Sequence, residues 1–266
     1  MDALSITLIS VASLAALGFA SGALLAAAAR IFAVEVDPRT EEINKVLPGA
    51  NCGACGYAGC KAYAEAVLKG ADPTLCRLGG SEVAKKIAEI AGVKSYEVAP
   101  KKAVILCGAA RELCEERSDY LGEKTCRANT LVAGGLSACI FGCLAYGDCV
   151  EVCPVGAIRQ KGKLPPMIDR EKCVGCGKCA AACPRNVIII EDEEHKTFVL
   201  CRSFDKGAFV KKICKMGCIA CRICVKECPE GTMTMEGRLP VVNYLKGEPT
   251  TECIAKCPQK TIIKYK

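Results

Sequence analysis

The first 30 residues show no alternation of apolar and polar positions: between Asp2 and Arg30, residues 3–29 are apolar, small or hydroxylated, and none is charged. As a helix rising about 1.5 Å per residue, this stretch extends roughly 40 Å, enough to cross a bilayer core with some tilt. A cleaved signal peptide fits less well, because no basic region precedes the stretch and its apolar part is about twice too long. Beyond it the pattern breaks into short pieces. Ala62, Tyr63, Ala66 and Val67 recur at helical spacing after Cys60 and stop at Gly70, and a second helical run begins at Ser81 and Glu82 and ends near Gly92. Brief apolar runs at 103–106, 155–158, 187–190 and 261–263 read as strands, the last three each following a Cys-Pro pair. The class is α+β: a single N-terminal transmembrane helix, a small helical module, and short strand-helix units in tandem. The expected divisions are 1–33 for the anchor, 34–100 for the helical module, 101–135 for a Cys-containing connecting segment, and 136–193 and 194–266 for the two tandem units.

Arg30, Arg39 and Lys45 follow the apolar segment. The positive-inside rule then puts the bulk of the chain on the cytoplasmic side of the cell (inner) membrane as a single-pass protein, a bias that Glu35, Asp37, Glu41 and Glu42 weaken. Gly18 and Gly22, four apart among Ala and Ser, let a second transmembrane helix come close, although small residues are also common in helices that face lipid alone. Composition then narrows the chemistry. With 23 Cys and one His, neither mixed Cys/His zinc sites nor His-based acid-base catalysis can recur. Thiols at this density in a reducing compartment point to metal rather than to disulfides.

The spacing of the cysteines says which metal. Cys52-x2-Cys55-x4-Cys60-x15-Cys76 lies among Gly49, Gly53, Gly56 and Gly59, which let backbone N–H groups approach cluster sulfurs. Four thiolates alone also suit a structural Zn site. The run Cys173-x2-Cys176-x2-Cys179-x3-Cys183-Pro184 is more specific: three cysteines grip one 4Fe-4S cube and the fourth ligates a neighbouring one. Upstream, Cys143-x5-Cys149-x3-Cys153-Pro154 repeats it with Tyr146 in place of the second cysteine. One cluster is therefore expected on Cys153, Cys173, Cys176 and Cys179. The other has Cys143, Cys149 and Cys183 and needs either a fourth thiolate or a 3Fe-4S form, with Cys139 the first candidate and Cys126 the next.

An internal repeat supports these sets. Adding 75 to Cys126, Cys139, Cys143, Cys149 and Cys153 lands on Cys201, Cys214, Cys218, Cys224 and Cys228, and the second copy restores the missing ligand as Cys221. A shift of 74 carries Cys179 and Cys183 onto Cys253 and Cys257, but Cys173 and Cys176 onto Gly247 and Thr250. Cys218, Cys221, Cys224 and Cys257 form a full set. Cys228 and Cys253 are left short, with Cys201 and Cys214 as possible completions. Cys107 and Cys114 are either part of another metal site or buried thiols. The count is at least four 4Fe-4S clusters, with room for a fifth or sixth. The units resemble tandem bacterial ferredoxins.

Rival readings are weaker. Cys214-x3-Cys218-x2-Cys221 has the spacing of radical enzymes that cleave S-adenosylmethionine, but too few residues follow it for the barrel such enzymes need. The net charge of +7 raises nucleic acid as a partner. However, each cube with four thiolates brings about two negative charges, so four bring the total to about −1. No basic stripe is interleaved with aromatics, and no nucleic acid is expected. Neither G-x-G-x-x-G after a strand nor G-x-x-x-x-G-K-[ST] occurs, so NAD and flavin are not expected on this chain. His195, among the charges of 191–196, reads as a solvated loop residue, and no catalytic residue is assigned. A Zn-binding interaction scaffold and the iron-sulfur subunit of some other membrane reductase are the alternatives to carry forward.

The order of features, from the anchor through Asn51-Cys52-Gly53-Ala54-Cys55-Gly56-Tyr57-Ala58-Gly59-Cys60 to the downstream repeats, resembles the B subunit of the Rnf ion-translocating ferredoxin:NAD oxidoreductase electron transport complex over essentially the whole chain. The resemblance implies an electron-transfer subunit of a translocase, with soluble ferredoxin and the other membrane and peripheral subunits as partners. NAD and flavin then belong to those subunits. It also implies that Lys206, Lys211, Lys212, Lys215, Arg222 and Lys226 steer an acidic ferredoxin, unless they are an ordinary solvated face. Gly247 and Thr250 depart from the family's ligand pattern.

Overall fold

The structure, a computed structural model, describes residues 3–32, 37–94 and 99–265. Asp2, Glu35 and the expected junction at 33/34 lie outside the described residues. Helix α1 (Ala3–Ile31) is apolar around its whole circumference, and its segment Thr7–Ile31 is long and apolar enough to cross a membrane. None of that segment is buried in the rest of the chain. The Ser13 and Ser21 hydroxyls donate to carbonyls one turn back, at Ser10 and Leu17, so these polar groups are satisfied within the helix, as hydrocarbon surroundings demand.

Three helices form the N-terminal module. Asp37 caps α2 (Pro38–Val46) by accepting the Arg39 N–H at 2.9 Å, with Pro38 in the first turn, where its missing N–H costs nothing. Cys60 is the first residue of α3 (Cys60–Leu68), and Gly92 ends α4 (Gly80–Ala91) in the left-handed conformation. Ile43, Leu47, Tyr63, Val67 and Ile87 close the core, each contributing about 1.5–3 kcal/mol on full burial. The Tyr63 hydroxyl donates to the Asp72 carbonyl at 2.9 Å, which fixes the loop carrying Cys76.

The remainder is two ferredoxin-like units of the same design. The first contains β1 (Lys101–Ile105), α5 (Cys126–Leu131), α6 (Asp148–Glu151), β2 (Ile158–Arg159), β3 (Met167–Ile168), α7 (Lys178–Ala182) and β4 (Ile188–Asp192). The second contains β5 (Thr197–Val199), α8 (Gly207–Ile213), α9 (Ile223–Glu227), β6 (Met233–Glu236), β7 (Leu239–Val242), α10 (Thr251–Ala255) and β8 (Ile262–Lys264). In each unit the first strand pairs antiparallel with the last, β1 with β4 (Ile105 opposite Ile188) and β5 with β8 (Val199 opposite Ile262). Hairpins β2–β3 and β6–β7 cross the other end. Residues 101–135 are thus no mere connector, since they supply β1 to the first unit. Two-stranded sheets this short are marginal alone. The cores they enclose mix small and aliphatic side chains with cysteine: Cys107, Cys143, Cys149, Cys173 and Cys179 in one, and Cys224, Cys228 and Cys253 in the other.

Candidate iron-sulfur sites

Cysteine loops are wrapped by a recurring backbone turn. Within Cys173–x5–Cys179, Gly175 and Gly177 take φ of +63° and +80°. At the same places of the other two loops, Ala145 (+52°), Gly147 (+93°), Ala220 (+55°) and Arg222 (+62°) do likewise. A left-handed Ala or Arg costs about 1–2 kcal/mol, and such strain persists where the surroundings demand the geometry. Within the Cys143 loop the Ala145 N–H points at the Cys143 sulfur (3.4 Å), and from outside these turns the N–H groups of Ala157 and Ala103 point at Cys153 (3.3 Å) and Cys173 (3.4 Å).

Several thiols converge on shared cavities. Cys52, Cys55, Cys60 and Cys76 line one, and Cys218, Cys221, Cys224 and Cys257 another. A third is lined by Cys126, Cys143, Cys149 and Cys183. A fourth is lined by five, Cys107, Cys114, Cys139, Cys201 and Cys214. A further set is brought together as well: Cys176 and Cys179 each lie within electrostatic range of Cys153 and Cys173. Cys52 is also in range of Cys176, so the N-terminal module adjoins the first ferredoxin-like unit. Burial pushes the thiols of Cys149, Cys179 and Cys139 up to about 12 and that of Cys218 to about 11, so a metal must displace a proton at each.

The structure differs from the sequence expectations at three places. First, Cys126, not Cys139, stands beside Cys143, Cys149 and Cys183. The Asp148 carboxylate accepts the N–H groups of Cys126 (2.7 Å) and Arg127 (3.0 Å) at the start of α5, which ties Cys126 to the neighbour of Cys149. The N–H of Tyr146, which occupies the missing ligand's place, donates to the Cys126 sulfur. With four thiols at this cavity, the shortfall that suggested a 3Fe-4S form is absent. The legible signal was Asp148 itself, a carboxylate beside a ligand with no cation near it in sequence.

Second, Cys228 and Cys253, held as ligands short of a set, are joined in a disulfide. With Gly247 and Thr250 in place of two thiols, α9 and α10 bring only these two cysteines face to face, and Cys201 and Cys214 line the five-thiol cavity instead. Third, His195 is a packed, half-buried side chain rather than a free loop residue. Its ring stacks on Tyr244 with centroids 3.6 Å apart, and Nδ1 lies 2.9 Å from Glu191. Lys206, Lys211, Lys212, Lys215, Arg222 and Lys226 are all exposed, and so is Cys221 beside them.

Among the described residues no group of three or more His, Cys, Asp or Glu is placed to hold a single metal ion.

Known proteins carry the same pattern. A family model described as a putative Fe-S cluster matches residues 47–78, and one described as a 4Fe-4S binding domain matches residues 166–189. Over 97% of its length the chain is 38% identical to the B subunit of the ion-translocating oxidoreductase complex of Methanosarcina acetivorans, covering 98% of that protein. The chain belongs to the B-subunit family of ion-translocating oxidoreductase complexes. Two further relatives are the B subunit of the Na(+)-translocating ferredoxin:NAD(+) oxidoreductase complex of Acetobacterium woodii, 39% identical over 97% of this chain and 78% of its own, and the proton-translocating counterpart of Clostridium ljungdahlii, 37% identical over 92% and 88%. Both matched segments contain cysteine runs: Cys52, Cys55, Cys60 and Cys76 in one, and Cys173, Cys176, Cys179 and Cys183 in the other.

Proposed function

We propose that this protein is the membrane-anchored iron-sulfur electron carrier of an ion-translocating ferredoxin:NAD oxidoreductase complex. It takes electrons from reduced ferredoxin and hands them to the other subunits. The observation that carries this reading is the grouping of the thiols into sets of four, three of them lining a cavity and the fourth linked by the mutual electrostatics of its thiols. In this assignment Cys52, Cys55, Cys60 and Cys76 hold one cluster, and Cys153, Cys173, Cys176 and Cys179 a second. Cys126, Cys143, Cys149 and Cys183 hold a third, and Cys218, Cys221, Cys224 and Cys257 a fourth. Bound there, 4Fe-4S clusters supply one-electron exchange at a potential set by charge, hydrogen bonds to sulfur and exposure.

The chain's own residues do the rest. Exposed Arg222, next to exposed Cys221, together with exposed Lys211 and Lys212 on α8, offers an acidic ferredoxin a docking face. Buried Cys143, Cys149 and Cys179 keep water from the interior sets. Cys52, in range of Cys176, brings the membrane-proximal module against the first ferredoxin-like unit. Helix α1 holds all of this at the cytoplasmic face of the membrane in a single pass, and NAD and flavin sit on other subunits.

Cys55→Ala in the assembled complex tests the route. Ferredoxin should still bleach the visible absorbance of the distal sets, while ferredoxin-dependent NAD reduction falls at least tenfold. Unchanged NAD reduction sinks the proposed path. Anaerobically purified parent protein without acid-labile sulfide sinks the whole reading.

A further inference from the structure

The five-thiol cavity belongs to none of the four sets above. It lies between the two ferredoxin-like units, and its cysteines come in matched pairs. Cys107 and Cys201 each follow the first strand of their unit by one residue, after Leu106 and Leu200. Those leucines make equivalent bonds, with the Leu106 N–H donating to Val187 and the Leu200 N–H to Thr261. Cys139 and Cys214 stand in equivalent Cys-x2-Gly-Cys turns, with their sulfurs packed 3.5 Å and 3.4 Å from where Gly142 and Gly217 would carry a Cβ. Each unit therefore contributes two thiols from the same two positions.

All four share a feature with cysteines already assigned to clusters. Cys143, Cys176 and Cys218 each accept an N–H from the residue two positions on, namely Ala145, Lys178 and Ala220. Cys107 takes one from Ala109, Cys139 from Phe141, Cys201 from Ser203 and Cys214 from Met216. Cys107 accepts two more, from Ala110 and, at 3.3 Å, from Cys143. An uncharged thiol gains little from three donors, whereas a cluster thiolate is stabilised by each.

The fifth thiol differs. Cys114 has no counterpart in the second unit, and its sulfur rests 3.4 Å from the Ser137 hydroxyl. Its backbone is bridged directly to that of Cys214, and the two thiols are hydrogen-bonded to each other. Two sulfurs in contact cannot both ligate separate irons of a cube, so one is surplus, and the pairing of the repeats retains Cys214.

We infer that Cys107, Cys139, Cys201 and Cys214 hold a fifth 4Fe-4S cluster at the boundary between the two ferredoxin-like units, with Cys114 a non-ligating neighbour. This site rests on the reading that the chain carries iron-sulfur clusters. It joins what are otherwise two separate groups of sets: Cys107 receives the N–H of Cys143 from the first unit's interior set, and Cys201 is in range of Cys218 in the second unit's set. An electron supplied by ferredoxin to the second unit enters here as one electron and leaves as one electron to the first. No bond is made or broken, and no proton moves.

The test uses the full chain, purified anaerobically in detergent, with iron, acid-labile sulfide and zinc measured together with EPR of the reduced protein. The parent should hold about twenty irons and twenty sulfides. The double variant Cys139→Ser/Cys214→Ser should lose about one-fifth of both along with one EPR component, while Cys114→Ser loses neither. A parent with only about sixteen irons and sixteen sulfides overturns the fifth cluster and leaves the other four standing. One zinc per chain lost with the double variant overturns it too, as does a double variant that keeps its full iron. Loss of iron in Cys114→Ser overturns the ligand assignment. A parent with no sulfide refutes the wider reading instead, so the two failures are distinguishable.

Discussion

At the residue scale, carboxylates rather than cysteines decide how the cysteine loops are anchored. Glu248 shows the balance: partial burial alone would raise its carboxyl, but the Lys196 N–H, Lys264 and the Thr197 N–H outweigh that and hold it below the ordinary value of 4.5. It thereby ties the segment before α10 to the start of β5. Because its folded pKa is depressed, the stability it contributes is present above about 4.3 and disappears as pH falls through the folded value. Glu248→Gln should therefore speed amide exchange across 195–200 about fivefold at pH 7, equivalent to roughly 1 kcal/mol. Parent and variant should converge only once the pH has fallen through that lowered folded value; a constant gap at all pH values would mean that charge is irrelevant there. Asp148 plays the corresponding role for Cys126, and here sequence reasoning fell short. Spacing alone favoured Cys139 because it is nearer Cys143 along the chain. Spatial proximity comes instead from two N–H bonds made across 21 and 22 residues. The same limit hid His195, whose partner Tyr244 is distant in sequence.

At the scale of elements, helices α1, α3 and α4 were legible and the sheet pairing was not. Gly70 and Gly92 mark the ends of α3 and α4, since helix stops are local chemistry. Strand positions near 103, 188 and 262 also followed from short apolar runs, but which strands pair depends on the whole unit closing, so the place of β1 beside β4 was missed. Close approach between elements is similarly invisible in sequence. A Cβ on Gly207, the first residue of α8, would lie 2.0 Å from the Ile219 carbonyl in the Cys218 loop. Gly207→Ala must push α8 off that loop, at about 1–3 kcal/mol. The variant should release iron from the set containing Cys221 on mild heating, well before the N-terminal module bleaches. Gly18→Ala, where the added Cβ meets nothing within 4 Å, should leave both unchanged in the isolated chain. Equal heat resistance in Gly207→Ala and parent would show that α8 does not brace the loop.

At the scale of the molecule, the thiol sets form an extended sequence whose two ends differ in character. One end adjoins a helix suited to lipid, whereas the other carries exposed Lys211 and Lys212 in the last turn of α8 and Arg222 beside exposed Cys221. The net charge of +7 is therefore unevenly useful. Buried clusters, at about two negative charges each, offset much of it over distances comparable with the molecule, but a surface patch acts on a partner within a Debye length of about 8–10 Å. A docking face would be recognised by its salt dependence. Lys211→Glu/Lys212→Glu should lower the second-order rate of ferredoxin oxidation about tenfold at 10 mM salt, and the difference should shrink as salt rises towards 0.5 M, because screening removes steering from parent and variant alike. Iron content should not change, since both lysines are exposed. Identical rates and identical salt slopes in parent and variant would make these residues an ordinary solvated surface and move the entry point for electrons elsewhere, with the first ferredoxin-like unit the next place to reverse charge.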